Sequence, residues 1–266
     1  MILFYAAAES ALPQLAKEGA KNILITMANG LKKIPKVPDL YKGDYNLLTD
    51  SGAFTYQRKG GITVDKWIQD AKTIEKVSTE LISLDVIGDP VKSYDNFIEI
   101  IKELPQVIPT LHFGEDVKWL KKYLEKTPRV CIGGMVPFKA KPMLFKRHLK
   151  EIFKMFSMND MPRFHALGCF APDILEEYPF YSCDASSWQN YARFGEFHRF
   201  KKTEYYRMKS ANIGTINTKE LDLEDLYCYS ENTNEIKLNL TVKALADYEK
   251  YLNYLWNKRN LNFSSY

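Results

Sequence analysis

The 266-residue chain has few cysteines and spaces them widely. Cys131, Cys169, Cys183 and Cys228 form no C-x-x-C or C-x-C pair. That spacing excludes a disulfide-rich scaffold and argues against a structural zinc site, so no metal is expected. Buried, reduced thiols of a cytoplasmic protein are the expectation. No apolar run reaches the roughly 18 residues of a membrane span, so no membrane partner is expected. The opening residues, Met1 to Ala8, lack a basic leader and read as a strand, not a secretory signal. No G-x-G-x-x-G or Walker A pattern is present to support a nucleotide-binding open sheet, and no cofactor is expected. There is no internal repeat and no low-complexity linker. Neither sign of charge dominates: 37 basic against 33 acidic residues leave +4, a mild bias compatible with a polyanionic partner without identifying one.

Hydrophobic residues make up 45% of the chain and aromatics 14%, enough for one large core. Short apolar runs at 2–7, 22–27, 46–49, 81–86, 107–113, 130–132, 164–168 and 180–183 read as buried parallel strands. Amphipathic stretches separate them. Val64 to Glu80 carries Trp67, Ala71, Ile74 and Val77 at helical spacing, with Thr63 as N-cap. Eight such strand–connection units predict a (β/α)₈ TIM barrel, α/β in class, over residues 1–188. Residues 189–266 then form a basic and aromatic extension packed on the barrel. The extension has short β-like runs at 226–229 and 236–240 and a final helix from about 241 to 256.

In a parallel barrel the working residues stand at the C-terminal ends of the strands. The polar residues there are Asp50, Asp85, Asp89, His112, Gly133-Gly134, Gly168 and Asp184. Asp89 precedes Pro90 and reads as a helix cap. Carboxylates at three other strand ends would meet at one mouth, where two of unlike pKa supply a nucleophile and a general acid/base.

The motifs carry a resemblance. Leu47 to Phe54 (LLTDSGAF) resembles the LTDSGG[FY]Q signature of the tRNA-guanine transglycosylases, and Ile82 to Asp85 resembles that family's strand ending in a base-reading Asp. Cys131 to Val136 (CIGGMV) resembles its VGGLAVGE strand, His165 to Leu175 its YLMGVGxPxDIL run, and Tyr181 to Ser187 its strand bearing the nucleophilic Asp. His112 stands where the family has a Gln, Thr55 replaces another Gln, and the family's zinc-binding cysteines are absent. The chain is most similar to the zinc-less branch that exchanges guanine for a 7-deazaguanine in DNA, in bacteria and their phages.

The resemblance implies a pentosyltransferase that acts through a covalent Asp–C1′ intermediate in the cytoplasm of a bacterium or a phage-infected host. Asp184 would be the nucleophile and Asp50 the general acid/base. Ser51, Gly52, Phe54, Asp85, His112, Gly133, Gly134, Met135 and Gly168 would bind the base. Gly133 and Gly134 would do so by keeping a Cβ out of its path. Lys139, Lys141, Lys146, Arg147, Arg199, Lys201 and Lys202 would hold DNA phosphates. The alternatives are tRNA as the polymer, or a non-catalytic nucleic-acid-binding barrel. On this reading Asp184→Ala removes chemistry and leaves the fold intact.

Overall fold

The computed structural model describes residues 1–134, 141–190, 196–201, 203–209 and 234–264. Nine parallel segments follow one another by hydrogen bonding in a single sheet. Val107–Ile108 pairs with the strand before it and Thr110–His112 with the strand after it. The two are one strand interrupted at Pro109, whose nitrogen has no hydrogen to give a ladder. Counted so, the strands are β1 (Ile2–Tyr5), β2 (Asn22–Thr26), β3 (Asn46–Asp50), β4 (Glu80–Ile82), β5 (Val107–Ile108 with Thr110–His112), β6 (Arg129–Gly133), β7 (Arg163–Ala166) and β8 (Ser182–Ala185). β8 pairs with β1, which closes the ring. The fold is a (β/α)₈ TIM barrel, as the alternating pattern predicts.

The side-chain alternation of a strand sorts these residues into two cores. Phe4, Leu24, Leu48, Ile82, Ile108 and Cys131 come from six different strands and form one small buried cluster, the filling of the barrel. The neighbouring positions, among them Leu3, Ile23, Ile25, Leu47, Leu81, Leu111, Val130 and Ile132, join the larger cluster between barrel and helices. Two residues beyond the filling on each strand, the same parity brings Thr26, Asp50, Thr110 and Gly133 to the C-terminal mouth.

The helices are α1 (Leu12–Lys17), α2 (Met27–Gly30), α3 (Val37–Tyr41), α4 (Ala53–Arg58), α5 (Val64–Lys72), α6 (Pro90–Glu103), α7 (Val117–Leu124), α8 (Pro142–Phe153), α9 (Pro172–Leu175) and α10 (Asn234–Lys258). Thr63 caps α5 by accepting the Lys66 N–H at 3.2 Å, and Asp89 caps α6 by accepting that of Lys92 at 3.0 Å. Helix α10 packs on the barrel. Its Glu249 accepts the Leu3 N–H at 2.7 Å, its Val242 carbonyl accepts the Tyr5 hydroxyl at 3.3 Å, and its Trp256 donates to the Leu175 carbonyl at 3.1 Å. The run at 236–240, β-like by its alternation, is the first part of this helix. The apolar stripe at 241–256 continues back through Leu238, which is buried. The run at 226–229 and Cys228 lie outside the described residues. β9 (Glu196–Lys201) and β10 (Glu204–Lys209) form a separate antiparallel hairpin. No helix among the described residues is long and apolar enough to cross a membrane.

Candidate active site at the barrel mouth

Three acids reach the mouth from three strand ends. Asp50 closes β3 beside Thr26 of β2. Burial, with the negative charges of Asp85 and Asp184 added, raises its carboxyl pKa to about 7 against the pull of the Thr26 hydroxyl and the Gly52 N–H. The acid is therefore held partly protonated at neutral pH, as a proton donor or acceptor needs to be.

Asp184 is 5% exposed at the end of β8. Its Oδ1 accepts the Gly168 N–H at 2.6 Å and lies 3.3 Å from His165 Nε2. On the other side of the ring, His165 Nδ1 is 2.8 Å from the Ser182 hydroxyl. A hydroxyl donating to Nδ1 leaves the hydrogen on Nε2, aimed at Asp184. The carboxylate is thus oriented from behind by a fully buried imidazole and a backbone amide.

Asp85 faces His112, with Oδ2 to Nε2 at 3.0 Å, while the Ser51 hydroxyl donates to Oδ1 at 3.4 Å. His112 Nδ1 is 3.3 Å from Glu115, which also accepts the His112 backbone N–H at 3.0 Å. Burial pulls the imidazolium pKa down, but hydrogen bonds to Asp85 and Glu115 outweigh it and raise the value to about 9. His112 is therefore a cation clamped between two carboxylates. No Lys or Arg occupies the C-terminal half of any barrel strand. Among the described site residues, Asp50, Asp85, Asp184 and Glu115 face the single cation His112, a set that suits positive charge in a substrate or transition state. Among the described residues no group of His, Cys, Asp or Glu has the geometry to hold a metal ion.

The other expected residues divide. Ser51, Gly52 and Gly168 sit in the wall of the mouth. Gly133 and Gly134 do too, but the space a Cβ would take there is already filled: Thr110 Cγ2 lies 2.8 Å from it at Gly133, and the Phe113 backbone nitrogen 3.3 Å from it at Gly134. Packing accounts for Gly133, and a left-handed φ of +68° together with close packing accounts for Gly134. Phe54 is 63% exposed, with the Arg58 guanidinium 5.5 Å from its ring. The aromatic ring that lines the cavity beside Asp85 is Tyr56. The described basic residues differ in their surroundings. Lys146 is held by Glu177 at 2.6 Å, Arg199 is buried, and Lys141 and Arg147 are exposed. Lys201 is half-buried and has an interaction partner. Met135, Lys139 and Lys202 lie outside the described residues. Sequence reading missed Glu115 and, as a site residue, His165. The signals were an acid three residues after a strand-end His, and a His at an inward position of β7.

A scan of protein-family models finds no match to this chain, and a search of curated proteins finds none either. Among solved structures the chain is similar to a dihydrodipicolinate synthase from Oceanobacillus iheyensis (TM-score 0.47, 10% identity, 72% of this chain and 69% of that one). It is also similar to an N-acetylneuraminate lyase from Fusobacterium nucleatum (TM-score 0.49, 12% identity, 96% and 84%).

These results correct the transglycosylase reading. No family model supports it, and the similar structures carry the names of a synthase and a lyase. The pentosyltransferase activity, the guanine and 7-deazaguanine substrates, DNA or tRNA as partner, and the non-catalytic nucleic-acid-binding barrel are withdrawn with it. The physical reason is that the shared motifs are short strand ends. An apolar run closing on Asp or Gly-Gly is what a barrel needs for its filling, its turns and its tight backbone contacts.

Proposed function

We propose that the chain is an enzyme that cleaves a bond in a small cationic or hydrogen-bond-donating molecule by carboxylate acid–base chemistry at the barrel mouth. The observation that carries this reading is the convergence of Asp50, Asp85 and Asp184 from three strand ends, one partly protonated and another fixed by Gly168 and His165. A buried carboxyl that keeps its proton near neutral pH can serve as acid and base beside a second carboxyl held in place by hydrogen bonds. Asp50 gives its proton to the departing atom, and the bond's electron pair leaves with that atom. Asp184 stabilises the positive charge that develops on the carbon left behind. The incoming nucleophile returns a proton to Asp50. Imine chemistry would call for a lysine at a strand end. None of β1 to β8 carries one, which supports the carboxylate route. The described cysteines are buried free thiols, which supports a reducing compartment, the cytoplasm.

The test is a proton NMR screen in deuterated water of small cationic, neutral and anionic metabolites, with wild type, Asp50→Asn and Asp184→Asn side by side. Turnover confined to cationic and neutral compounds, and reduced at least about 100-fold in both variants, is expected. Turnover that survives Asp50→Asn, or that selects anions, would overturn the reading.

A further inference from the structure

Asp85 belongs to two spaces at once. One is the mouth, through His112. The other is a cavity of about 150 Å³ lined by the connections that follow β3 and β4. Ala53 and Tyr56 of α4, Ile62 of the next connection and Leu84 give it apolar walls. Asn96 of α6 and Asp85 supply half-buried polar groups, and the exposed amide of Gln57 on α4 also lines the cavity. The Asn96 amide nitrogen donates to the Leu84 carbonyl at 3.2 Å, which fixes the side chain with its oxygen as the atom free to accept. Asp85 and the Asn96 oxygen therefore both accept, and Asp85 is the one charged residue among those lining the cavity. Apolar walls with two fixed acceptors, Asp85 and the Asn96 oxygen, beside an exposed Gln57 amide that can turn to accept or donate, match a flat or compact apolar group that ends in N–H donors.

We propose that this cavity is a subsite for the non-reacting arm of the substrate, and that it takes a small planar group bearing an amidinium-like or amine cation, with its N–H groups on Asp85 and Asn96. Holding that arm beside Asp85 leaves the rest of the molecule over Asp50 and Asp184, which is the positioning that makes an acid–base pair effective. The proposal rests on the catalytic reading for what the arm is attached to; the occupancy of the cavity is tested separately from it.

Benzamidine is the probe and benzoate its anionic counterpart of similar shape. Each is titrated into the nitrogen-15-labelled full chain and followed by amide NMR. Benzamidine is expected to move the amides of Ala53, Leu84, Asp85 and Val86, and benzoate to bind at least tenfold more weakly. Ile62→Trp, which fills the cavity from a half-buried loop position, is expected to weaken benzamidine at least tenfold while leaving the rest of the spectrum in place. Asp85→Asn should bring benzamidine and benzoate close to equal affinity. Equal binding of the two probes to wild type, no shift with benzamidine, or full binding by Ile62→Trp would each overturn the proposal. None of these results involves turnover, so failure here is distinct from failure of the Asp50 and Asp184 variants in the metabolite screen.

Discussion

His112 and Asp85 face each other across the tops of β5 and β4, Nε2 to Oδ2 at 3.0 Å, with Glu115 closing the other side of the ring. This contact sets a pH dependence of stability. The folded pKa, about 9, lies above the ordinary value of 6.5. The contribution is complete below about 6.5 and is lost as pH rises through about 9. Hydrogen bonds to a charged partner suggest a size of roughly 1.5–3 kcal/mol. Melting temperatures of wild type and His112→Gln at pH 6 and pH 9.5 check it. Wild type is expected to lose the larger part of its advantage over the variant at the alkaline end. An advantage independent of pH would remove the charged clamp.

Asp50 shifts stability in the same direction with pH, but as a cost that appears and not a gain that is lost. Its folded pKa of about 7 exceeds the ordinary 3.8 because burial and two neighbouring acids oppose its charge. The folded state holds this proton more tightly than the unfolded state, so stability falls between about pH 4 and pH 7 and stays lower above. Asp50→Asn removes that cost. It is expected to be more stable than wild type by roughly 1–2 kcal/mol at pH 8, part of the effect being screened by water at the mouth, and nearly equal to it at pH 4.5. Denaturant melts at the two pH values decide this. Catalysis should be lost in the same variant, the pattern of a residue kept for function at the expense of stability.

Asp184 also holds its neighbours in place. Removing its side chain leaves the Gly168 N–H and the buried His165 without their acceptor. Asp184→Ala is therefore expected to lose roughly 1–3 kcal/mol, against the sequence expectation that the fold would not notice. Asp184→Asn keeps an oxygen for the Gly168 N–H and is expected to stay within about 1 kcal/mol of wild type while losing turnover. Equal stabilities of the Ala and Asn variants would show that these two hydrogen bonds contribute little.

The barrel was legible in the sequence because a buried parallel strand leaves a short apolar run, and every one of the eight runs falls on a strand. The acids at the mouth were legible for the same reason, since Asp50, Asp85 and Asp184 each end such a run. What surrounds them was not. Phe54 reads as a ring over the site, but α4 is six residues long and its phase puts Ala53 inward and Phe54 outward; no periodicity can be read from so short a helix. His165 reads as one more residue of an apolar strand until β8 brings Ser182 and Asp184 beside it. Arg199 reads as a phosphate contact in a basic run, yet it is buried in the folded chain. In each case a neighbour distant in sequence decides the outcome. The resemblance failed differently: it took residues that a barrel requires for packing and read them as residues that a particular substrate requires.

Gly52 shows how tightly packing and site are joined. It holds φ at +80° between Asp50 and α4, and a Cβ there would stand 2.6 Å from Ala28 Cβ and 3.1 Å from the Ala28 nitrogen. Gly60 has φ +97° with nothing within 4 Å of its missing Cβ. Both lose on replacement by alanine through backbone strain, about 1–2 kcal/mol. Only Gly52→Ala adds a clash with backbone, roughly 1–3 kcal/mol more. Relief of that clash must move Ala28 or Gly52, whose N–H faces Asp50, and the new Cβ would also stand 3.2 Å from Tyr56, whose ring lines the cavity. Gly52→Ala is accordingly expected to be less stable than Gly60→Ala by the packing difference and to weaken benzamidine binding, whereas Gly60→Ala leaves binding unchanged. Equal losses of stability in the two variants would mean that left-handed strain, and not the contact with Ala28, fixes glycine at position 52.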